Sequence, residues 1–302
     1  MNDIKEKFRC GYVALIGRPN VGKSTLMNYV LGQKISITSH RPQTTRHRIL
    51  GIKTTDDAQL VYVDTPGIHD NENKAMNRYM NRTAGASFKD VDVIVLLVEA
   101  MRWTDEDELV IKRLQNVSTP VVLAVNKIDL MKKKEDLLPF IEKIKNKYNF
   151  SDIIPVSAIK GDNTEGFEKI LTAYLPPSEA FYSEDQITDR SSRFMAAEII
   201  REKLTRNLTQ ELPYNLTVEI EKFTQDGKLI DIAAVIWVER DNQKAIIIGK
   251  QGSKLKEMGT KARIDMEKLF DNKVFLQLWV KVKSGWSDDE RALNSLGYTD
   301  EY

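Results

Sequence analysis

Gly17-Arg18-Pro19-Asn20-Val21-Gly22-Lys23-Ser24-Thr25 places two glycines, a lysine and a hydroxyl at the spacing G-x-x-x-x-G-K-[ST]. Glycines let the backbone curl so that successive N–H groups face phosphate oxygens, and a following helix N-terminus adds positive potential. In such a loop Lys23 reaches the β- and γ-phosphates and the Ser24 hydroxyl binds Mg2+. Asp64-Thr65-Pro66-Gly67, followed by Ile68, ends an apolar run. A carboxylate there holds Mg2+ through water, and the Gly67 N–H can meet the γ-phosphate because no side chain blocks the approach. Gln43-Thr44-Thr45-Arg46 lies between these two sets, where mobile loops place a threonine hydroxyl on Mg2+. Thr45 is expected to do so, with Thr44 as the alternative. The catalytic set expected is therefore Lys23, Thr45, Asp64 and Gly67, with Ser24, Thr45 and Asp64 on the metal.

Asn126-Lys127-Ile128-Asp129 supplies the base chemistry. The Asp129 carboxylate can accept from guanine N1–H and the 2-amino group, and adenine offers neither donor. A desolvated carboxylate without partners costs on the order of several kcal/mol, so ATP is expected to be rejected in favour of GTP and GDP. Asn126 is expected to tie this loop to the phosphate loop, and the Lys127 stem to cover the base. After the last apolar run, Ser157-Ala158 lets a backbone N–H face guanine O6. Each short set read alone is an ordinary turn; order and spacing together carry the reading. His40, His47 and His69 lack metal-ligand spacing and read as polar loop residues.

Chemistry of this kind needs rigid strand ends. Tyr12 to Ile16, Leu60 to Val63, Val91 to Val98, Val121 to Val125 and Ile153 to Val156 read as buried strands. Helical segments such as Lys23 to Leu31, closed by Gly32, and Leu137 to Tyr148 lie between them. Such alternation predicts an α/β domain, a mostly parallel sheet with helices on both faces, and each nucleotide set falls at the carboxyl end of a strand.

The chain has 302 residues, 41% hydrophobic and 29% charged, which suits two cores better than one. A single cysteine, Cys10, excludes an internal disulfide framework. The N-terminus has no apolar stretch of signal-peptide type, and the longest apolar run, Val93 to Val98, is far short of a bilayer span. Residues 1–177 are read as the nucleotide domain and the polar, acidic stretch 178–192 as a linker. A second pattern follows over 193–285: an amphipathic helix through Phe194, Ala197, Ile200, Leu204 and Leu208, and two strands, Leu216 to Phe223 and Leu229 to Glu239. A short apolar stretch then leads into Gly249, a second helix runs through Leu255, Met258, Ala262, Met266 and Leu269, and Val274 to Val282 closes as a strand. This is a small α+β domain. Residues 286–302 form a polar tail with helical potential.

Gly249-Lys250-Gln251-Gly252 offers the chemistry of backbone clamping: two glycines let a loop press against a nucleic-acid strand. From Lys244 to Arg263 there are six basic residues and one acid, a local +5 in a chain of net charge +1. Ile248, Gly249, Lys250, Gln251, Gly252 and Lys254 are the expected RNA contacts, with Ile246 to Ile248 shaping a base groove. Trp237 and Trp279 are expected in the core.

Together these sets resemble the translation-factor-like GTPases and, through Gln-Thr-Thr-Arg-His-Arg from 43 to 48, Asp-Thr-Pro-Gly-Ile-His from 64 to 69, Thr188-Asp189-Arg190, Ile200-Arg201-Glu202-Lys203 and Ile248 to Gly252, specifically the Era family. The resemblance covers about residues 8 to 285. It implies a GTPase domain followed by a type II KH domain that binds the 3′ end of 16S ribosomal RNA and assists assembly of the small (30S) ribosomal subunit. It also implies a monomeric cytoplasmic protein with peripheral association at the inner face of the membrane. Ras-like GTPases carry a water-orienting glutamine where this chain has Ile68; the Era family shares the apolar residue. That leaves the water-positioning group open, with Arg46 or Arg48 able to approach the phosphates, and implies slow intrinsic turnover. In similar GTPases an asparagine at the position of Asn20 holds K+, which makes K+ a candidate second cation. The alternative reading is a GTPase subunit of an RNA-modification system with the KH domain as docking module. That reading needs a further catalytic constellation, and the sequence carries no cysteine nucleophile outside Cys10, no methyl-donor glycine loop and no metal cluster.

Overall fold

The computed structural model describes residues 8–39, 41, 44–67, 74–86, 90–208 and 212–298. In chain order its elements are β1 Arg9–Ile16, α1 Lys23–Leu31, β2 Ile49–Thr54, β3 Ala58–Asp64, α2 Ala75–Ala86, β4 Val93–Glu99, α3 Asp105–Leu114, β5 Val121–Asn126, α4 Leu137–Ile144, β6 Asp152–Pro155 and α5 Thr164–Tyr174. Then come α6 Ser192–Asn207, β7 Leu216–Asp226, β8 Leu229–Val238, α7 Asp241–Ile248, α8 Ser253–Phe270, β9 Lys273–Val282 and α9 Glu290–Ser295. The chain divides into two compact units: residues 1–36, 45–70 and 80–189 form one, and residues 37–44, 71–79 and 190–302 the other.

In the first unit the strands lie in the order β2-β3-β1-β4-β5-β6, all parallel to their neighbours except β2 against β3. Val93 to Val98 is fully buried, as expected of a strand covered on both faces. Val110, Leu114, Phe140 and Ile144 from α3 and α4 pack on one face over Ile94, Leu96, Leu123 and Val125. The antiparallel strand β2 is not among the strands the sequence predicts. Its mixed sequence ILGIKT carries neither a clean alternation nor a continuous apolar run. Helix α1 ends where expected, with Gly32 at φ 66° in the left-handed region. Leu137 to Tyr148 is a shorter α-helix than expected, finishing in a 3-10 turn at Lys145–Lys147.

The stretch read as linker is bonded to this sheet over much of its length. Pro177 bridges to Arg9 and Thr188 to Gly51, Ile52 N–H donates to Ile187 O at 2.9 Å, and Gln59 Oε1 accepts from Phe181 and Tyr182 N–H.

The second unit has a three-stranded sheet, β7-β8-β9, with β7 and β8 antiparallel and β8 and β9 parallel. Ala196, Ile200 and Leu204 from α6 and Met258, Ala262 and Met266 from α8 close its core against Ile232, Ala234, Ile236 and Val280. The apolar stretch before Gly249 is the helix α7 that a helix–glycine loop–helix order requires, with Ile247 buried. The expectation that Trp237 and Trp279 lie in the core needs correction. Trp279 is 43% exposed: the period of two along β9 points Val274 and Val280 into the core and Phe275 and Trp279 away from it. Trp237 is half-buried, its Nε1–H donating to Glu219 at 2.7 Å. The tail carries the helix α9, in line with its helical potential, and Trp286, Leu293 and Tyr298 within it are buried, with Tyr298 OH 2.9 Å from Thr217 Oγ1.

Candidate functional site

The phosphate loop joins β1 to α1. Gly17 adopts φ 143° and Gly22 φ 107°, and a Cβ on Gly22 would stand 2.2 Å from Asn126 Nδ2, so only glycine fits there. Asn20 sits exposed at the tip of the loop with φ 63°. Val21 is buried, and the half-buried Thr25 follows in the first turn of α1. Lys23 is 6% exposed and its Nζ donates to Gly17 O at 2.9 Å and Arg18 O at 3.0 Å. Burial pushes this ammonium down to about 8, against the pull of Asp64. A buried lysine resting on its own loop carbonyls can exchange them for phosphate oxygens. Gly67 closes the opposite wall, where a Cβ would meet Pro19 N at 3.0 Å.

Ser24, Thr45 and Asp64 converge. Ser24 Oγ lies 2.6 Å from Asp64 Oδ2 and 3.0 Å from Thr45 Oγ1. Ser36, absent from the sequence-based set, is fully buried and donates its hydroxyl to the same Asp64 oxygen at 2.7 Å. Asn28 of α1 holds Ser36 in place: its Oδ1 accepts from Ile35 and Ser36 N–H at 2.9 Å each, and its Nδ2 donates to Ser36 O at 2.7 Å. Burial raises the Asp64 carboxyl, and the bonds from Ser24 and Ser36 and the charge of Lys23 oppose that rise. Asp64 Oδ1 is buried without a protein partner. An orphaned carboxylate oxygen beside two hydroxyls is a hard-oxygen donor set that fits Mg2+. Thr44, the alternative to Thr45, directs its hydroxyl to Arg41 O instead. Arg46 is buried at 2% exposure, and Ile68, His40 and His69 lie outside the described residues. Thr65 and Pro66 are buried, with Thr65 Oγ1 donating to Leu15 O.

The base loop is tied to the phosphate loop by Asn126 Nδ2 donating to Val21 O at 2.7 Å. Asp129 Oδ1 accepts from Ser157 Oγ at 2.6 Å. The Ala158 N–H, expected to face guanine O6, donates to Asn126 Oδ1 at 2.9 Å, an oxygen that also accepts from Lys127 N–H. In this structure it therefore serves to fix Asn126. Lys127 has φ 66°, and its Nζ donates to Glu99 Oε2 at 3.1 Å.

In the second unit α7 and α8 flank the glycine loop. Gly249, Gln251 and Gly252 all have positive φ, at 71°, 52° and 77°. Lys250, Gln251 and Lys254 are exposed. The isoleucines divide: Ile247 is core, Ile246 is 45% exposed and Ile248 half-buried, so Ile247 drops out of the expected groove. Lys261 and Arg263 pair with Glu257 and Glu267 at 2.6 and 2.9 Å, which concentrates the positive surface nearer the loop. Among the described residues no cluster has the make-up of a protein-only metal centre.

Residues 12–127 match the family model described as a 50S ribosome-binding GTPase, and residues 211–287 the KH domain model. The chain is 58% identical over 299 residues to GTPase Era of Pseudomonas aeruginosa, covering 99% of this chain and 98% of that one. It is 59% identical over 292 residues to GTPase Era of Ectopseudomonas mendocina, covering 97% and 98%. Among solved structures, Era in complex with MgGDPNP and nucleotides 1506–1542 of 16S ribosomal RNA matches with TM-score 0.94 at 38% identity, over 97% of this chain and 99% of that one. An Era variant from Aquifex aeolicus bound to GDP·AlF4− matches with TM-score 0.93 at 37% identity, over 96% and 99%. With the phosphate loop, base loop and KH fold in this order, and with identity at this level along nearly its whole length, the chain belongs to the Era family of GTPases.

Proposed function

We propose that this protein uses GTP as a switch to bind the 3′ end of 16S ribosomal RNA through its KH unit and so assists assembly of the small ribosomal subunit. The observation that carries the reading is the presence, in one chain, of the Ser24–Thr45–Asp64 cluster and an exposed basic G-x-x-G loop. The related Era complex holds MgGDPNP and nucleotides 1506–1542 of 16S ribosomal RNA on the same architecture, which supports the assignment of both ligands.

In this reading Asp129 accepts from the guanine edge, and Lys23 and the loop amides from Gly17 to Thr25 hold the phosphates. Ser24, Thr45 and Asp64 hold Mg2+, which supplies charge neutralisation at the β- and γ-phosphate oxygens. Ser36 keeps Asp64 aimed at the cluster. Ile248, Gly249, Lys250, Gln251, Gly252 and Lys254 take the RNA backbone. The protein works in the cytoplasm and touches the inner face of the membrane only peripherally; among the described residues no helix is long and apolar enough to cross a membrane.

The test is crosslinking in cell lysate with GTP-loaded protein, followed by sequencing of the bound RNA. Reads should pile up at the 3′ end of 16S ribosomal RNA. Reads centred on another RNA would instead favour the RNA-modification role.

A further inference from the structure

Glu99 is the last residue of β4, an otherwise apolar strand, and its register partner is Asn126 of the base loop. Its Oε2 accepts from Lys127 Nζ at 3.1 Å and from Arg18 Nη2 at 3.0 Å. Arg18 is 5% exposed and also pairs through Nε with Asp107 at 3.3 Å. Asp107 is itself fully buried in the first turn of α3, where its Oδ2 accepts from Thr104 N–H and Oγ1. One carboxylate oxygen thus receives a cation from the phosphate loop and a cation from the base loop. Burial works against this carboxyl, yet the bonds from Lys127 and Arg18 hold it below the usual carboxylate range.

We infer that Glu99 is a positioning residue for guanine nucleotide: it anchors the Lys127 ammonium so that the lysine stem lies stretched along the base pocket, and it locks that stem to Arg18 of the phosphate loop. A lysine side chain is long and rotamer-rich, and ordering it only when the nucleotide arrives would weaken binding. Anchoring the ammonium in advance removes that cost. The bond is charge-assisted and only partly exposed, so it is screened less than an ion pair on the open surface. This inference rests on the base site proposed above and adds to it the group that makes the site rigid.

The test uses the full chain and release of a fluorescent GDP analogue. Glu99→Gln keeps the shape and loses the charge, and should release GDP about tenfold faster. The loss should fall on KM for GTP rather than on kcat. Lys127→Met keeps the stem and loses the ammonium, and should speed release by a similar factor. The double variant should release no faster than either single one, because both break the same bond. Parental release in Glu99→Gln overturns the inference, and so do single effects that multiply in the double variant. Should Glu99→Gln fail to fold, Lys127→Met decides alone, with parental release overturning the inference. Asp129→Asn run alongside separates the two levels. If that variant keeps parental guanine affinity, the base site is misassigned. If it loses guanine while Glu99→Gln and Lys127→Met do not change release, only the anchoring is wrong.

Discussion

Asn126 Nδ2 donates to Val21 O at 2.7 Å, so the loop that reads the base and the loop that cradles the phosphates are one bonded assembly. Asp129 takes no part in that bond, so a change there is expected to affect affinity without dismantling the phosphate end. Asp129 is the place to make it, since its carboxylate is oriented by Ser157 at 2.6 Å. Asp129→Asn should weaken GTP by about 10- to 100-fold, the loss of charge-assisted bonds. It should strengthen xanthosine triphosphate, whose 2-oxo group accepts from an amide. Competition titration with the two nucleotides reads both changes, and parental GTP affinity would refute the base pocket.

Lys23 is the buried cation of the phosphate loop, resting on the Gly17 and Arg18 carbonyls. Lys23→Ala should lower the single-turnover hydrolysis rate by about two orders of magnitude or more, the cost of losing charge stabilisation at the transferring phosphoryl group. Asn20, exposed at the tip of the same loop, makes a K+ dependence testable in parallel. Hydrolysis by the parent should run faster in K+ than in Na+ buffer, and equal rates would remove K+ from the site.

Ser36 is the hydroxyl on Asp64 that spacing did not reveal, and Asn28 is what holds it. Asn28→Ala would leave two N–H groups and one carbonyl around a buried residue without their side-chain partner. Each such loss costs about 1–3 kcal/mol where water cannot replace it, so urea unfolding of the first unit should begin at clearly lower denaturant. Ser36→Ala removes only the hydroxyl. It should keep most of the stability yet raise the Mg2+ concentration needed for half-maximal hydrolysis. An Asn28→Ala variant as stable as the parent would make the bonds ornamental.

What the sequence made legible was local. The phosphate loop, its flanking strand and the helix ended by Gly32 follow from spacing, glycine placement and period within about twenty residues. So does the strand–helix alternation that brings Asp64 and Asn126 to strand ends. The parts that stayed hidden depend on partners far along the chain. Glu99 reads as an ordinary charge closing a strand until Arg18 and Lys127 are seen on one of its oxygens. Trp286 looks like part of a polar tail because nothing beside it in sequence says what covers it. Trp279 reads as core from its sequence because hydrophobicity alone does not tell which face of an edge strand is filled.

The KH unit should bind single-stranded RNA through its glycine loop, for reasons steric and electrostatic together. Gly252 has no heavy atom within 4 Å of where a Cβ would stand, so the loop surface there is open to a sugar-phosphate backbone. Lys250, Lys254 and Lys256 are exposed beside it, while Lys261 and Arg263 are partly neutralised by Glu257 and Glu267. Lys250→Asp with Gln251→Asp would set two negative charges against phosphate. Gln251 has φ 52°, a region that aspartate tolerates better than most residues, and both side chains are exposed, so the fold should survive. The double variant should keep its melting temperature and its intrinsic GTP hydrolysis and lose RNA affinity by about tenfold or more. For the parent, log affinity should fall with log salt at a slope of about −0.7 for each phosphate neutralised on a single strand. Fluorescence anisotropy with a short RNA from the 3′ end of 16S ribosomal RNA measures both. If the aspartate variant binds that RNA as the parent does, with the same salt slope, the loop is only a turn between α7 and α8, and the RNA surface lies elsewhere on the unit.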